Sequence, residues 1–408
     1  MAGHAQPVYE NAAKNAAENT VENISEMPHG MGDLYPYSTD HRLVHVAMAE
    51  TDAQLLHLEW SDGHRQTLHA IWLREQCACV QCRHPASLER ILDQTGYSLD
   101  ITPSHWSILE NGDLRLTWPS DGPGGGHVSL YQAAWLRHGG RPPLDVPSPM
   151  TWGAALAEGL PRFDFGSVMA REDALLEWLE TLRQTGLTYV ENAPAAEGIV
   201  ANLARRIGTL RETNFGGLFE VVAVPGAISN AYTAEELPLH VDLPAREYQP
   251  GFQFLHCLAN ETQGGNSLYC DGLAVAEKLR TEDAAAFRAL TETPIIFRYH
   301  DEDTDYQMRA PLIGLEQDGT VREIRFNPAI MTVADCPAAA YREFQRAYRC
   351  FLTLTRDPGL RLERRMTAGE IAVFDNRRVL HGRRHLQGAY VELEDVNSKI
   401  RVLRRHLR

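Results

Sequence analysis

A β-hairpin pattern occurs twice in the first third of the chain and limits what that part can fold into. The run LHLEWSDGHRQTLHAIWLR begins at Leu56, and LRLTWPSDGPGGGHVSLYQAAWLR begins at Leu114. Each contains an alternating strand-like run, an Asp-Gly turn, a second run and a Trp-Leu-Arg ending. Apolar and polar residues that alternate with period two predict half-buried strands, and Asp-Gly between them predicts a hairpin. We therefore predict a small, mostly β first domain.

Prolines mark the end of this predicted domain. The segment RPPLDVPSPM, residues 141–150, has four prolines in ten residues and is typical of an extended linker. A chain of 408 residues also exceeds what one hydrophobic core usually serves. We expect a mobile leader at 1–42, a first domain at 43–140, the linker at 141–150 and a second domain at 151–408.

The second domain lacks a regular alternation of strands and helices. Apolar residues at helical spacing predict helices at 172–185, at 198–210 and from about 338 to 355, and strand-like runs occur in GFQFLHCL, NSLYCDG, PIIFRYH and EIAVFDN. A β-rich core with flanking helices is closer to a jelly roll than to a parallel α/β sheet. The predicted fold class is α+β, mainly β.

Charge and hydropathy exclude several classes of function. The formal net charge of −15 argues against nucleic acid as a partner and mildly favours a cationic one. No basic region followed by an apolar stretch opens the chain, and no apolar run could span a membrane, so we expect a cytoplasmic protein without a membrane anchor. Phosphate-binding, dinucleotide and serine-hydrolase motifs are also absent from the sequence.

Two histidines and an aspartate form the first candidate metal site. His240 and Asp242 are two positions apart in NAYTAEELPLHVDLP, so on an extended strand both side chains would point to the same face. His381, in FDNRRVLHGRR, is the best candidate for a second imidazole. Two imidazoles and one carboxylate are the facial triad of iron(II) oxygenases, which leaves three coordination positions open.

Three cysteines form the second candidate site. Cys77, Cys79 and Cys82 fall within six residues, which suits a metal site better than a disulfide framework. Tetrahedral zinc needs a fourth ligand. The two hairpin units offer His64 and His127 at equivalent places, and the residues alone do not decide between them.

These motifs, in their order along the chain, resemble the 2-oxoglutarate-dependent oxygenases of the taurine dioxygenase type. They resemble in particular the branch of gamma-butyrobetaine hydroxylases and trimethyllysine dioxygenases. The resemblance spans about residues 43–404 and rests on LREQCACVQC, RRIGTLRETNFG, SNAYTAEELPLHVDLP, QPGFQFLHCL, GGNSLYCDG, FDNRRVLHGR and RHLQGAY. It implies a double-stranded β-helix (jelly-roll) catalytic domain with flanking helices behind a small zinc-binding β-rich domain, and it suggests a homodimer.

The resemblance also implies the cofactors. Iron(II) would bind His240, Asp242 and His381, a structural zinc would take His127 as its fourth ligand, and ascorbate would support activity.

The cosubstrate 2-oxoglutarate needs partners for its far carboxylate, because a buried carboxylate without them is costly. The resemblance gives this role to Arg384 and Ser267, with Arg383 as an alternative. His381 and Arg384 are separated here by a shorter interval than in relatives, which departs from the family pattern.

A trimethylammonium substrate would be recognised by aromatic faces. The resemblance places four aromatic residues in this cage, and it leaves Ser229 or Asn230 to bind the substrate carboxylate. The four are Phe215, Phe219, Tyr232 and Tyr390. Phe215 and Phe219 are four apart, and helical spacing would put them on one face. The alternative is that all four belong to the core. Relatives of vertebrate type place Tyr and Trp where Phe215 and Phe219 stand, and an amide where Ser229 stands.

The implied reaction is C3 hydroxylation of gamma-butyrobetaine to L-carnitine with O2, releasing succinate and CO2. One alternative is a related oxygenase that acts on trimethyllysine or another betaine. A second alternative is a protein that binds a metal or a betaine without turnover.

Overall fold

The computed structural model describes residues 37–119, 126–141, 146–221, 238–259, 266–382 and 386–407. The chain divides into two compact units, Met1–Leu144 and Asp145–Arg408. Each unit has its own hydrophobic core.

The first unit consists of two three-stranded antiparallel sheets, each followed by a short helix. The sheets have the orders β1-β2-β3 and β4-β5-β6. Their elements are β1 (Leu43–Met48), β2 (Leu55–Trp60), β3 (Arg65–His69), α1 (Ala70–Glu75), β4 (His105–Ile108), β5 (Leu114–Thr117), β6 (Val128–Tyr131) and α2 (Ala133–Arg137).

The two predicted hairpins are confirmed as β2–β3 and β5–β6. Gly63, in the first turn, has a φ of +83°, a conformation that glycine adopts without a steric penalty. The Trp-Leu-Arg endings form α1 and α2, and their indoles, Trp72 and Trp135, stack with ring centroids 5.3 Å apart. The repeated sequence pattern therefore corresponds to two similar strand-strand-helix units that share one core.

The second unit contains fourteen strands and seven α-helices within the described residues. They are β7 (Arg162–Asp164), α3 (Phe165–Ala170), α4 (Glu172–Thr185), β8 (Leu187–Glu191), α5 (Ile199–Arg205), β9 (Leu218–Val221), β10 (Phe252–His256), β11 (Ser267–Asp271), α6 (Gly272–Glu282), α7 (Ala284–Glu292), β12 (Pro294–His300), β13 (Asp305–Pro311), β14 (Ile313–Leu315), β15 (Val321–Ile324), β16 (Met331–Ala334), α8 (Tyr341–Leu354), β17 (Arg361–Arg364), β18 (Ile371–Asp375), β19 (Val379–Gly382), β20 (Leu386–Val391) and α9 (Leu393–His406).

Two of its sheets enclose a layer of aromatic and aliphatic side chains. One sheet has six strands in the order β7-β8-β18-β10-β20-β9, and the other has three in the order β17-β11-β19. Both contribute to one buried cluster, with Phe374 and Tyr390 from the larger sheet and Tyr269 from the smaller one. We call the sheet faces that line this cluster the inner faces. This packing of two sheets is the jelly roll expected from the sequence.

Alternation along the strands determines which residues reach the inner face. In β18, Ala372 and Phe374 join the inner cluster, whereas Ile371 and Val373 pack on the other side against α4, α5 and α9. The outer face of the smaller sheet packs in a further cluster with α6, α7 and α8. Helices thus cover the outer faces, and the polar residues of the inner faces are directed into the protein.

The predicted helices and strands of this unit are largely confirmed. The segment 172–185 forms α4, PIIFRYH forms β12, and the apolar runs ending at His256, Asp271 and Asp375 form β10, β11 and β18. The helix expected at 198–210 is shorter and ends at Arg205. Among the described helices, none combines the length and the apolar character needed to cross a bilayer.

His256 makes the stability of this unit depend on pH. Its side chain is fully buried in β10, and neither ring nitrogen has a hydrogen-bond partner among the described residues. Burial lowers the pKa of His256 from 6.5 to about 4. The unfolded chain therefore takes up a proton as the pH falls through about 6.5, while the folded protein does not until about 4. Stability is lost across that window as the pH falls.

We predict that His256→Phe reduces the slope of unfolding free energy against pH between about 6.5 and 4 by up to about 1.4 kcal/mol per pH unit. The measurement is urea unfolding of the full chain at a series of pH values. Because the slope is compared, a constant change in stability from the substitution does not affect the result. An unchanged slope would contradict the prediction.

Candidate metal centre and active site

Two backbone hydrogen bonds bring the candidate iron ligands together. The His240 amide donates to the His381 carbonyl at 3.1 Å, and the His381 amide donates to the His240 carbonyl at 2.8 Å. His381 lies in β19, whereas His240 forms only this isolated bridge. The continuous strand assumed around His240 is therefore wrong: the chain bends at Asp242, and Leu243 has a φ of +54°. The centroids of the two imidazole rings lie 4.7 Å apart.

The side chains of His240, Asp242 and His381 fit a single metal ion. The Asp242 Oδ1 lies 3.3 Å from His240 Nε2 and 3.7 Å from His381 Nε2. The candidate ligand atoms all lie within 4.8 Å of one another. Neighbouring ligands of an octahedral ion with bonds of about 2.1 Å stand about 3 Å apart, so small side-chain movements suffice to close the site.

Hydrogen bonds orient both imidazoles so that Nε2 faces Asp242. His240 Nδ1 lies 2.8 Å from the Pro238 carbonyl, and His381 Nδ1 lies 3.5 Å from the Val379 carbonyl. A carbonyl can only accept, so Nδ1 carries the proton and Nε2 keeps its lone pair for a metal. The inner-face ring of Phe374 packs against His381 with centroids 4.6 Å apart.

The charges at this site are matched. Burial alone would raise the pKa of the Asp242 carboxyl, but the neighbouring His240 and His381 side chains hold that pKa well below its ordinary value. Burial lowers the pKa of His381 below its ordinary value, whereas the contact with Asp242 outweighs burial at His240 and raises the pKa of that imidazole above its ordinary value. A deprotonated carboxylate and a neutral imidazole are the forms that bind a metal.

Three further side chains hold Asp242. The Asp242 amide donates to Asn376 Oδ1 at 2.7 Å, and Asn376 Nδ2 donates to the Asp242 carbonyl at 3.0 Å. Asp242 Oδ2 accepts hydrogen bonds from Gln253 Nε2 at 2.8 Å and from the Tyr390 hydroxyl at 2.7 Å. The backbone and one carboxylate oxygen are thereby fixed, and Oδ1 is directed at the two imidazoles.

A buried arginine fixes the segment that follows Asp242. Arg325 donates to the carbonyls of Pro244, Arg246 and Glu247 at 2.7 to 3.0 Å, and it pairs with Glu323 at 3.3 Å. Only 4% of Arg325 is exposed. Carbonyls outside regular structure need such donors when they are buried.

Ser267 has the environment of a ligand-binding hydroxyl. It lies at the start of β11, two positions before Tyr269, which is paired with His381 in the ladder. Its side chain is 1% exposed, and its hydroxyl has no hydrogen-bond partner among the described residues. A buried hydroxyl without a partner is costly, so this position fits an acceptor such as the 2-oxoglutarate carboxylate. Arg384, and its alternative Arg383, lie outside the described residues.

Two of the predicted cage residues lie together on the inner face. Phe219 and Tyr390 stack with centroids 4.9 Å apart and planes tilted by 25°. Gly388 leaves the space for the Phe219 ring, since a Cβ atom there would come within 2.4 Å of it. Both aromatic residues are at most 9% exposed and belong to the inner cluster.

The helix expected around Phe215 and Phe219 is not formed. Phe215 lies in a tight turn closed by Thr213 and Gly216, and Phe219 lies in β9. Gly216 has a φ of +87°, which ends any helix at this point. Phe215 packs its ring edge-on against Tyr299, with centroids 5.7 Å apart, and borders the same inner cluster. Ser229, Asn230 and Tyr232 lie outside the described residues.

The three cysteines of the first unit surround one imidazole. His127 Nε2 lies 3.2 Å from Cys77 Sγ, 3.7 Å from Cys79 Sγ and 3.6 Å from Cys82 Sγ. Sulfur and nitrogen ligands of a tetrahedral zinc ion stand about 3.6 Å apart, so the set fits that metal. The structure brings His127, and not the exposed His64, to the cysteines.

Arg74 adds a positive charge beside this candidate zinc site. Its Nη1 donates to Cys82 Sγ at 3.4 Å, and the residue is 6% exposed. Zinc with three thiolates and one neutral imidazole has a net charge of −1, which the guanidinium offsets.

The sequence alone indicates no role for Gln253, Asn376 or Arg325. Gln253 and Asn376 stand inside quoted motifs, QPGFQFLHCL and FDNRRVLHGR, so the resemblance pointed at their segments. Their contacts with Asp242 come from strand register and from a loop, which spacing along the chain does not reveal. Arg325 lies outside all the quoted motifs.

Two protein-family models match the chain. The model for the taurine catabolism dioxygenase TauD, TfdA family matches residues 145–404, and the model for the gamma-butyrobetaine hydroxylase-like N-terminal domain matches residues 48–137. The two matches contain the candidate iron ligands and the candidate zinc ligands respectively.

Several characterised proteins are similar over most of their length. A gamma-butyrobetaine dioxygenase from Pseudomonas sp. (strain AK-1) is 41% identical over 82% of this chain and 90% of its own. The gamma-butyrobetaine dioxygenase of Homo sapiens is 31% identical over 83% of this chain and 91% of its own, and the mitochondrial trimethyllysine dioxygenase of Rattus norvegicus is 27% identical over 82% of both chains. Among solved structures, a taurine dioxygenase from Burkholderia xenovorans has a TM-score of 0.45 and 13% identity, covering 60% of this chain and 89% of that one.

We predict that Cys79→Ser lowers the zinc content of the purified protein and the thermal stability of the first unit. A serine hydroxyl is a poor replacement for a thiolate, and binding of a structural zinc contributes directly to folding. The measurements are elemental analysis by mass spectrometry and thermal unfolding. Cys336→Ser, at a half-buried thiol of the second unit, is the matched control and should retain zinc. Unchanged zinc content in Cys79→Ser would count against the site.

Proposed function

The chain belongs to the taurine catabolism dioxygenase TauD, TfdA family, and from that membership we propose that it hydroxylates gamma-butyrobetaine at C3 to give L-carnitine. The reaction uses O2 and 2-oxoglutarate and releases succinate and CO2. Iron(II) and 2-oxoglutarate are the cofactor and cosubstrate of this dioxygenase family, and the Cys3His set is the zinc site.

One observation carries the proposal. His240, Asp242 and His381 converge within 4.8 Å in a chain that aligns with 90% of the length of a gamma-butyrobetaine dioxygenase at 41% identity. The ligand set supports the chemistry, and the similarity supports the substrate. The trimethyllysine dioxygenases match at lower identity, which favours butyrobetaine over the alternative.

We assign the binding of iron to the two imidazoles and Asp242 Oδ1, and the binding of the far carboxylate of 2-oxoglutarate to Ser267 and Arg384. When bound, the metal couples the decarboxylation of 2-oxoglutarate to activation of O2, so that one oxygen atom enters succinate and the other the substrate. The side chains of the protein hold the cosubstrate in position and exclude water from the site. His381 and the start of β11 lie on neighbouring strands of the smaller sheet, so the two ends of the cosubstrate site are fixed by one ladder.

Substrate recognition in this proposal depends on aromatic faces next to the iron ligands. The Tyr390 hydroxyl donates a hydrogen bond to Asp242, and the Tyr390 ring stacks on Phe219. The aromatic surface is therefore directly next to the candidate iron ligands. A trimethylammonium group has no hydrogen to donate in a hydrogen bond, and its attraction to aromatic rings is the alternative means of recognition. Phe215 and Tyr232 complete the proposed cage, and Ser229 or Asn230 would bind the substrate carboxylate.

We further propose a cytoplasmic homodimer with no nucleic-acid or membrane partner, and activity supported by ascorbate. The negative net charge of the chain supports a cationic substrate over an anionic polymer.

The proposal predicts that the iron-loaded protein converts gamma-butyrobetaine and 2-oxoglutarate to hydroxylated product and succinate in equal amounts. Products are measured by mass spectrometry for a panel of gamma-butyrobetaine, trimethyllysine and 5,5-dimethylhexanoate, the isostere of butyrobetaine in which an uncharged carbon replaces the ammonium nitrogen. We expect kcat/KM for the isostere to be lower by about tenfold or more, because about 1.4 kcal/mol of cation–π attraction is lost.

His240→Ala should abolish turnover, because one of the three iron ligands is removed. The matched control is His45→Ala, at an exposed histidine of β1, which should retain full activity. If the protein converts trimethyllysine in preference to gamma-butyrobetaine, then gamma-butyrobetaine is not its substrate and trimethyllysine takes that place. No succinate from the iron-loaded protein with any member of the panel would exclude the oxygenase proposal for these compounds.

A further inference from the structure

The two oxygens of the Asp242 carboxylate have different surroundings. Oδ1 faces the imidazoles of His240 and His381, whereas Oδ2 accepts from Gln253 Nε2 at 2.8 Å and from the Tyr390 hydroxyl at 2.7 Å. Both donors are almost fully buried, with 2% of Gln253 and 3% of Tyr390 exposed. The carboxylate thus has one oxygen turned toward the metal site and one turned toward the protein.

Strand register places these two donors side by side. Gln253 in β10 and Tyr390 in β20 are direct partners in the antiparallel ladder, so both side chains point to the same inner face. On the other side of the carboxylate, Asn376 binds the Asp242 amide and carbonyl and prevents the residue from rotating as a whole. The orientation of the Gln253 amide follows from chemistry, since a carboxylate only accepts hydrogen bonds and Nε2 must therefore face it.

We propose that Gln253 and Tyr390 are positioning residues that keep Asp242 a one-oxygen ligand of the iron. The inference rests on the proposed function, because it takes Asp242 as an iron ligand. A carboxylate can bind a metal through both oxygens, as it does in many calcium sites. Two hydrogen bonds use the lone pairs of Oδ2 that such a second bond would need.

The number of coordination positions explains why it matters that Asp242 binds the metal through one oxygen only. An octahedral ion has six positions, of which the triad occupies three and leaves three open. In the proposed reaction 2-oxoglutarate would need two of these positions and O2 would need one. A carboxylate that bound through both oxygens would occupy the position that O2 requires. Holding Oδ2 on Gln253 and Tyr390 therefore keeps the last position open.

Tyr390 also connects the positioning of Asp242 to the proposed substrate pocket. Its hydroxyl is bonded to Asp242, while its ring stacks on Phe219 at 4.9 Å in the proposed cage. A cation that binds against the aromatic pair therefore acts on the residue that positions the iron ligand. Tyr390 therefore has two roles, one through its ring and one through its hydroxyl.

The experiment compares Tyr390→Phe, Gln253→Met and their double variant with the wild-type full chain. Each substitution keeps the side-chain volume approximately and removes the polar group that donates to Asp242 Oδ2. Tyr189→Phe is the matched control, because the Tyr189 hydroxyl is also buried on the inner face but bonds Tyr269 at 3.1 Å and not Asp242. Thermal unfolding verifies that each variant folds. If one of the single variants does not fold, the other is enough to test the inference.

The first readout is the visible absorption spectrum of the cobalt(II)-substituted protein, which reports coordination number without turnover. The second is the ratio of succinate released to butyrobetaine hydroxylated. We expect the spectrum to change in the three variants and the succinate-to-product ratio to rise by about threefold or more in the double variant. The wild type and Tyr189→Phe should share one spectrum and a ratio near that of full coupling.

A cobalt spectrum and a ratio that stay at wild-type values in the double variant would overturn the inference. The same spectrum changes in Tyr189→Phe would also overturn it, because the effect would then belong to any buried tyrosine. Failure of the proposed function has a different signature: wild-type protein that binds cobalt, with a spectrum lost in His240→Ala, but that converts no butyrobetaine.

Discussion

The pair of backbone hydrogen bonds between His240 and His381 is the constraint on which the rest of the site depends. It joins a bent segment to β19, the edge strand of the smaller sheet, and brings two imidazoles and one carboxylate from distant parts of the sequence to one point. Around it, every buried polar group of Asp242 has a partner: Asn376 on its backbone, Gln253 and Tyr390 on Oδ2, and the imidazoles near Oδ1. A buried charge without such partners would be expensive, so these contacts keep the site both folded and ready for a metal.

Local sequence patterns predicted the elements that carry the site better than the contacts within it. The strands β10, β11 and β18 follow from short apolar runs, and the ligands follow from residue types at particular spacings. The partners of Asp242 could not be predicted in the same way, because Gln253 and Tyr390 meet only through the register of β10 and β20. Register depends on the whole sheet and leaves no mark on the spacing of either residue.

The wrong expectation around Phe215 has a physical reason that was visible in the sequence. A spacing of four suggested a helix, but Gly216 and Gly217 stand between the two phenylalanines, and glycine is a poor helix former that readily adopts positive φ. The turn that results sends Phe219 into β9, where it reaches Tyr390 across the sheet. At His240, likewise, alternation predicted the common direction of two side chains but not the bend that follows Asp242.

We propose that His240 Nε2, Asp242 Oδ1 and His381 Nε2 bind the same metal ion. Anomalous X-ray diffraction from crystals that contain manganese(II) and 2-oxoglutarate tests it most directly. We expect one ion within about 2.2 Å of those three atoms, with Asp242 Oδ2 still held by Gln253 and Tyr390. An ion bound elsewhere in the second unit, or one that lacks any of the three ligands, would contradict it.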